Sequence, residues 1–275
     1  DRVFALVQQE RDDRSLRSLG RGTRDEVRVL AEDRARDESF YSTFHADEPD
    51  YAQVVISTGC NNWCSYCIVP YVRGELRHRE PDDIVREVQE HVARGRHRIT
   101  LLGQNVNDYP DFIDLLKSVA AVPGVTEIDF TSSHPKNQSV ELFKVMAELP
   151  NVRKHLHMAM QSGSTKILSA MNRGYTKERL LDIIAEYKRI TGGTIGTDII
   201  VGFPGETDED FAETFDVVKK ARFNYAFIFM YSPRPHSKAF DCPDDVPEEI
   251  KKKRHARLLE LQKSISNEIS GTQTG

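Results

Sequence analysis

Val54-Val55-Ile56-Ser57-Thr58-Gly59-Cys60-Asn61-Asn62-Trp63-Cys64-Ser65-Tyr66-Cys67 sets three thiols in eight residues, spaced C-x3-C-x2-C, just after an apolar run. Three thiolates on one short loop can converge on a single metal centre. A tetrahedral zinc site takes four ligands, and no fourth Cys or His lies nearby in register. An iron–sulfur cluster normally takes four Cys as well. Held by three, it leaves one iron open to a small molecule. The plainer alternative is a reduced thiol cluster or a partial zinc knuckle.

Outside this loop Cys242 stands alone among only four cysteines, which excludes a disulfide framework and suits a reducing compartment, the cytoplasm. At 275 residues with 39% hydrophobic content the chain can bury a sizeable core. No apolar run approaches the ~20 residues of a membrane span, and Asp1–Gly20 lacks a secretory pattern. The net charge of −5 neither supports nor excludes RNA, whose footprints are local patches.

Residues 1–45 are rich in Arg and acids without a sustained period, and read as a linker or the remnant of a preceding domain; Thr23–Ala35 is a candidate helix within them. From Tyr51 apolar runs alternate with amphipathic stretches. The candidate strands are Ala52–Ser57, Ile99–Leu102, Glu127–Thr131, His155–Met160, Thr194–Val201 and Tyr225–Tyr231. Between them lie helices near Pro81–Ala93, Asp111–Ala121, Ser139–Leu149, Thr176–Ile190 and Asp208–Ala221. Pro81 suits a first helical position, and Thr207 with Asp210 makes a capping-box pattern. Six strands with five crossovers predict an α/β fold with a parallel sheet over 46–240. Pro247–Ile269 predicts a long helix, with Lys251-Lys252-Lys253-Arg254 as its solvated surface, within a C-terminal helix and tail at 241–275.

In parallel barrels chemistry collects where strands end. Ser132 and Ser133 follow strand three, placed either to bond a ribose or carboxylate or to cap the turn. His155 and His157 share a face, as structural or substrate-contacting side chains. Asp198 sits inside an apolar strand, where a carboxylate needs a polar partner or a ligand. The last strand alternates Tyr225, Phe227, Phe229 and Tyr231, fit to stack on a base or to fill a core.

The three-Cys loop after a strand resembles that of the radical S-adenosylmethionine (SAM) enzymes. Further segments narrow the resemblance: Cys67-Ile68-Val69-Pro70-Tyr71, Leu101-Leu102-Gly103-Gln104-Asn105-Val106-Asn107, Ser133-His134-Pro135, Gln161-Ser162-Gly163-Ser164, Met171-Asn172-Arg173, Thr197 through Thr207, and Tyr231-Ser232-Pro233-Arg234-Pro235. From about Tyr51 to Ile269 the chain is similar to the methylthiotransferase family, in its tRNA-modifying branch. The resemblance implies an open, partial (β/α)6 barrel of the radical SAM type. It implies a [4Fe-4S] cluster on Cys60, Cys64 and Cys67 whose open iron binds SAM, which is then cleaved to a 5′-deoxyadenosyl radical. Tyr66 takes the place whose backbone meets the adenine. Gly103 and Gln104 replace a Gly-Gly-Glu-like turn, so Gln104 would receive the SAM amino group through its amide oxygen. Ser132, Gln161 and Asp198 complete the cofactor set.

The implied activity converts C–H to C–S–CH3 on the N6-isopentenyl adenosine beside the tRNA anticodon. A single-stranded anticodon loop offers splayed bases to such a site. Arg73, Arg77, His78 and Arg79 would form a basic lip, with Tyr231 and Arg234 on the substrate side. The implied partners are tRNA and an electron donor such as flavodoxin or ferredoxin, and the chain would act as a monomer. His236-Ser237 and His78-Arg79 depart from the family's usual residues near the substrate mouth. The family's N-terminal domain carries three Cys for a second, auxiliary [4Fe-4S] cluster, whereas no Cys precedes Cys60. Its C-terminal RNA-binding domain has no counterpart after the last helix, so the chain reads as a radical SAM core fragment. The alternatives are methylthiolation of another tRNA adenosine or of a ribosomal-protein aspartate, and a non-catalytic iron–sulfur or zinc RNA-binding module.

Overall fold

The computed structural model describes residues 50–272, so the expectations for residues 1–45 lie outside the described residues. It opens with β1 (Tyr51–Val55), then a short strand β2 (Ser57–Thr58). The Cys loop, helix α1 (Val69–Val72) and strand β3 (Arg77–His78) follow. The alternating part is α2 (Pro81–Ala93), β4 (Arg98–Leu102), α3 (Phe112–Ala120), β5 (Glu127–Phe130), α4 (Val140–Glu148), β6 (His155–His157), α5 (Thr165–Ala170), α6 (Lys177–Thr191), β7 (Thr194–Val201), α7 (Asp208–Ala221) and β8 (Tyr225–Met230). Helix α8 (Glu248–Thr272) closes the described chain.

The major strands are all parallel, paired β1–β4–β5 and β6–β7–β8. Parallel bridges Ile128–Val152 and Ser133–Met158 join the two halves. Strand order therefore follows chain order. Among the described residues β8 does not pair back to β1, and the expected open six-stranded (β/α)6 arrangement is what forms. The physical cause lies in the side chains. Val54, Ile99, Leu101, Ile128, Leu156 and Ile199 are wholly buried against apolar helix faces that include Ile84, Leu116, Phe143 and Tyr187.

The expected helix starts are present. Pro81 begins α2, and Thr207 and Asp210 make a reciprocal capping box on α7. Ser139, Ser164 and Thr176 each accept from a backbone N–H three residues on, satisfying a donor the helix itself cannot.

Two features depart from expectation. Strands β2 and β3 form an antiparallel ribbon, Ser57 opposite His78 and Thr58 opposite Arg77, which closes the Cys loop at its base. Gly59 is required there: its φ is +71°, and a Cβ would run into the Glu75 carbonyl. The second departure corrects the solvated reading of the 251–254 run. Lys251 and Arg254 are only 5% exposed. Lys251 Nζ binds Asp244 at 2.5 Å, and Arg254 forks between Glu206 at 2.7 Å and Asp208 at 2.8 Å. The Arg254 pairs tie α8 to the loop after β7 and the start of α7, and the Lys251 pair ties it to the segment that leads into it. A charge run on a helix does not say which of its members turn inward.

Candidate cofactor site

The Cys loop is shaped by its neighbours. Ser65 donates its N–H to Met171 O at 3.0 Å and its hydroxyl to Ala170 O at 2.8 Å. Asn172 Nδ2 donates to Asn62 O and Trp63 O. Ala239 N donates to Ser65 O, and Lys136 Nζ reaches Asn62 Oδ1 at 2.6 Å. The end of α5 and the segment after β8 thus grip the loop. A small apolar cluster of Ile167, Met171, Phe203, Tyr231 and Ala239 lies alongside.

Cys60, Cys64 and Cys67 line one cavity of about 210 Å3. Among the described residues no three Cys, His, Asp or Glu side chains close on a single metal ion. Three thiols on one cavity can serve an iron–sulfur cluster, and they are one ligand short of the four a tetrahedral zinc takes. Burial pushes the Cys60 thiol up, and it pushes Cys67 to about 11, so a metal must displace protons to bind there.

The same cavity is walled by the ends of the strands. Gln104 follows β4, Ser132 and Ser133 follow β5, Gln161 follows β6, and Asp198 lies on β7. Two of these residues hold left-handed backbone, Ser132 at φ 61° and Gln161 at φ 66°. Non-glycine residues in that region concentrate at functional sites. Ser133 Oγ, His134 Nε2 and Gln161 Oε1 are buried there with no protein partner. His134 stays neutral: burial, with Arg173 and Lys136 nearby, holds it at about 2. Its Nδ1 accepts from Lys136 N, which leaves Nε2 as the N–H of the neutral ring. A donor, an amide oxygen and a hydroxyl thus await polar groups of a ligand, as a cluster with a bound amino-acid cofactor requires.

Gly103 packs its α-carbon toward Ser57 Oγ, behind Gln104. Asn107 bonds the His134 backbone twice, at 2.9 and 3.0 Å, and so locks the β4 loop to the β5 loop. Asp198 Oδ1 lies 3.4 Å from His157 Nε2, near it but without a hydrogen bond. His155 is fully engaged, with Thr194 Oγ1 at 2.7 Å and the Tyr225 hydroxyl at 3.0 Å.

Tyr66, Gln161 and Asp198 also line a neighbouring cavity of about 310 Å3 with Phe229, Tyr231 and Arg234. Tyr231 packs edge to face with Phe203, and its hydroxyl donates to Ala239 O at 2.9 Å. A third cavity, about 470 Å3, lies among Arg153, His155, His157, Tyr225 and Phe227 and shares Ser132 with the thiol cavity. Arg73 caps α1, and Arg77 is exposed on β3; neither lines the thiol cavity. Arg79 is drawn away from the expected basic lip, bonding Val55 O at 2.8 Å and Glu87 at 2.5 Å. His78 packs edge-on against Tyr109, and burial lowers its basicity.

Sequence reasoning missed Arg173 as a site residue. It is 4% exposed and lines the thiol cavity. Its guanidinium donates to Cys64 Sγ at 3.4 Å, Tyr66 Oη at 3.4 Å, Tyr175 Oη at 3.2 Å and Ala159 O at 2.5 Å. Its only sequence signal was its place in the Met171-Asn172-Arg173 segment, which follows a helix too short to stand out.

Residues 54–218 match the family model of the radical SAM superfamily. The chain is 49% identical over 232 residues to a tRNA-2-methylthio-N(6)-dimethylallyladenosine synthase of Acetivibrio thermocellus, covering 82% of this chain and 48% of that protein. It is 50% identical over 232 residues to the synthase of the same name from Acidothermus cellulolyticus, covering 82% and 47%. It thus spans about half the length of the curated relatives it matches. Among solved structures, the radical SAM methyltransferase TsrM of Kitasatospora setae superposes with a TM-score of 0.61 at 16% identity, covering 70% of this chain and 38% of that one. Coproporphyrinogen III oxidase of Escherichia coli gives 0.57 at 17% identity, covering 79% and 53%.

Proposed function

The chain belongs to the radical SAM superfamily, and from that premise we propose that it is the radical-generating core of a tRNA methylthiotransferase. The substrate would be the N6-isopentenyl adenosine beside the anticodon, converted from C–H to C–S–CH3. When bound, a [4Fe-4S] cluster with SAM supplies one electron and an organic radical able to abstract hydrogen.

The chain's own residues do the rest. Cys60, Cys64 and Cys67 hold the cluster and leave one iron without a protein ligand. Gln104, Ser132, Gln161 and Asp198 provide acceptors and hydroxyls for the polar ends of SAM, and Gly103 and Tyr66 shape its seat. Tyr231 and Arg234 sit on the cavity next door, on the side a substrate base would enter. Arg73 and Arg77 follow the Cys loop as phosphate contacts. A flavodoxin or ferredoxin would donate the electron, and a cytoplasmic monomer is the working form. The domain reading, with the core at 46–240 and the C-terminal helix and tail at 241–275, belongs to the same proposal. No helix among the described residues is long and apolar enough to cross a membrane.

The observation that carries this proposal is three thiols facing one cavity with the strand-end residues Gln104, Ser132, Gln161 and Asp198. Identities near 50% to the tRNA synthases support the tRNA substrate. Anaerobic reconstitution with iron and sulfide tests the core: about 4 iron per chain is expected, together with 5′-deoxyadenosine formed from SAM after reduction. Zinc in place of iron would sink it. Mass spectrometry of tRNA nucleosides, after the complete protein is supplied to a strain lacking the modification, tests the substrate.

A further inference from the structure

We infer that Arg173 is the electrostatic counter-ion of the cluster, acting through Cys64 to raise its reduction potential. This rests on the cluster reading above and goes beyond it.

The buried cations of this fold otherwise find carboxylates. Lys251 has Asp244, and Arg254 has Glu206 and Asp208. Arg173 is equally buried, yet its hydrogen-bond partners are two tyrosine hydroxyls, a carbonyl and one sulfur. A buried guanidinium without an opposite charge is costly. The hydroxyls of Tyr66 and Tyr175 do not supply that charge, because a phenol is neutral at neutral pH. The thiol group at Cys64 is the remaining partner that becomes anionic when it ligates iron. Among the described residues no carboxylate contacts Arg173.

The geometry also fixes the guanidinium in place. Nη2 is anchored on Ala159 O and Nε on Tyr175, whose own hydroxyl donates to Met160 O at 2.7 Å. Nη1 is shared between Cys64 Sγ and the Tyr66 hydroxyl, each at 3.4 Å. Hydrogen bonds to cluster sulfurs and nearby charge are the protein's levers on potential. Reduction adds one electron and one negative charge to the cluster, and a fixed cation favours that state. Arg173 is thus a positioning residue for the electronics of the site.

The test uses the full chain, reconstituted anaerobically, with iron content measured first and the midpoint then read by EPR during titration with dithionite as the reductant. R173Q is expected to keep the wild-type iron content. Its equilibrium constant for one-electron reduction should fall at least tenfold, a shift of about 59 mV downward. R173K keeps the charge and gives up the planar fork, and should stay within threefold of wild type. If R173Q does not fold, R173K decides alone: a tenfold fall with the charge retained overturns the counter-ion role. Equal midpoints in iron-loaded wild type and R173Q also overturn it. A wild-type chain that takes up no iron would instead overturn the cluster reading itself.

Discussion

The three loop thiols line one cavity, and among the described residues no further Cys lines it. Single replacement of Cys60, Cys64 or Cys67 by Ala should therefore abolish iron binding, as read by absorbance and iron analysis. Cys242 is exposed, away from that cavity, and Cys242→Ser should retain full iron content. Retention of iron in Cys64→Ala with loss in Cys242→Ser would reverse the ligand assignment. Asn172 offers a gentler probe, since it holds the loop without lining the cavity. Its side chain carries two bonds to loop carbonyls, at 3.2 and 3.0 Å. Asn172→Ala should cost about 1 kcal/mol in folding and speed iron release to a chelator several-fold. An unchanged release rate would show that the remaining clamps suffice.

At the level of the elements, Asp210 joins two helix starts. It accepts from Ser164 at 2.7 Å and Lys166 at 2.7 Å, and from the Thr207 N–H and hydroxyl. Burial alone would push its carboxyl up, but these bonds outweigh it and hold the group at about 2, below an ordinary 3.8. A depressed acid stabilises the fold above its unfolded value and loses that contribution as pH falls through the folded one. Asp210→Asn should therefore cost about 2 kcal/mol at pH 7. The gap to wild type should close between pH 4 and pH 2 in urea melts; a gap independent of pH would contradict it. Helix α7 shows how much local structure was legible, because Thr207-x-x-Asp210 announced its start and Ala221 its end. Helix α5 shows the limit: six residues carry too little periodicity to stand out. The β2–β3 ribbon was illegible for a related reason, since two-residue strands have no alternation to read.

Taken whole, the alternation of apolar runs and amphipathic stretches was enough to predict a parallel α/β sheet, because each strand buries its side chains against the helix beside it; its open six-stranded form came from the family resemblance. The thiols and the strand-end residues were legible for the same reason: chain order places them all at one end. What sequence could not disclose was pairing across distance, as with Arg173 beneath Cys64 or Lys251 and Arg254 turned inward. Since protein contacts hold the Cys loop, stripping iron with an anaerobic chelator should leave the far-UV circular dichroism unchanged. A large loss of helix signal would mean that metal supports the fold. The loop's grips also set a timetable. Ala170 and Asn172 lie 105 and 110 residues downstream of the positions they hold, and Ala239 lies farther still. During synthesis each new strand finds its neighbour already made, and the sheet can grow as the chain leaves the ribosome. The thiols emerge before the segments that shape their loop, which arrive four and six strands later. Cluster loading is thus a late step, and the nascent chain carries three unshaped cysteines that must be kept from oxidant until then.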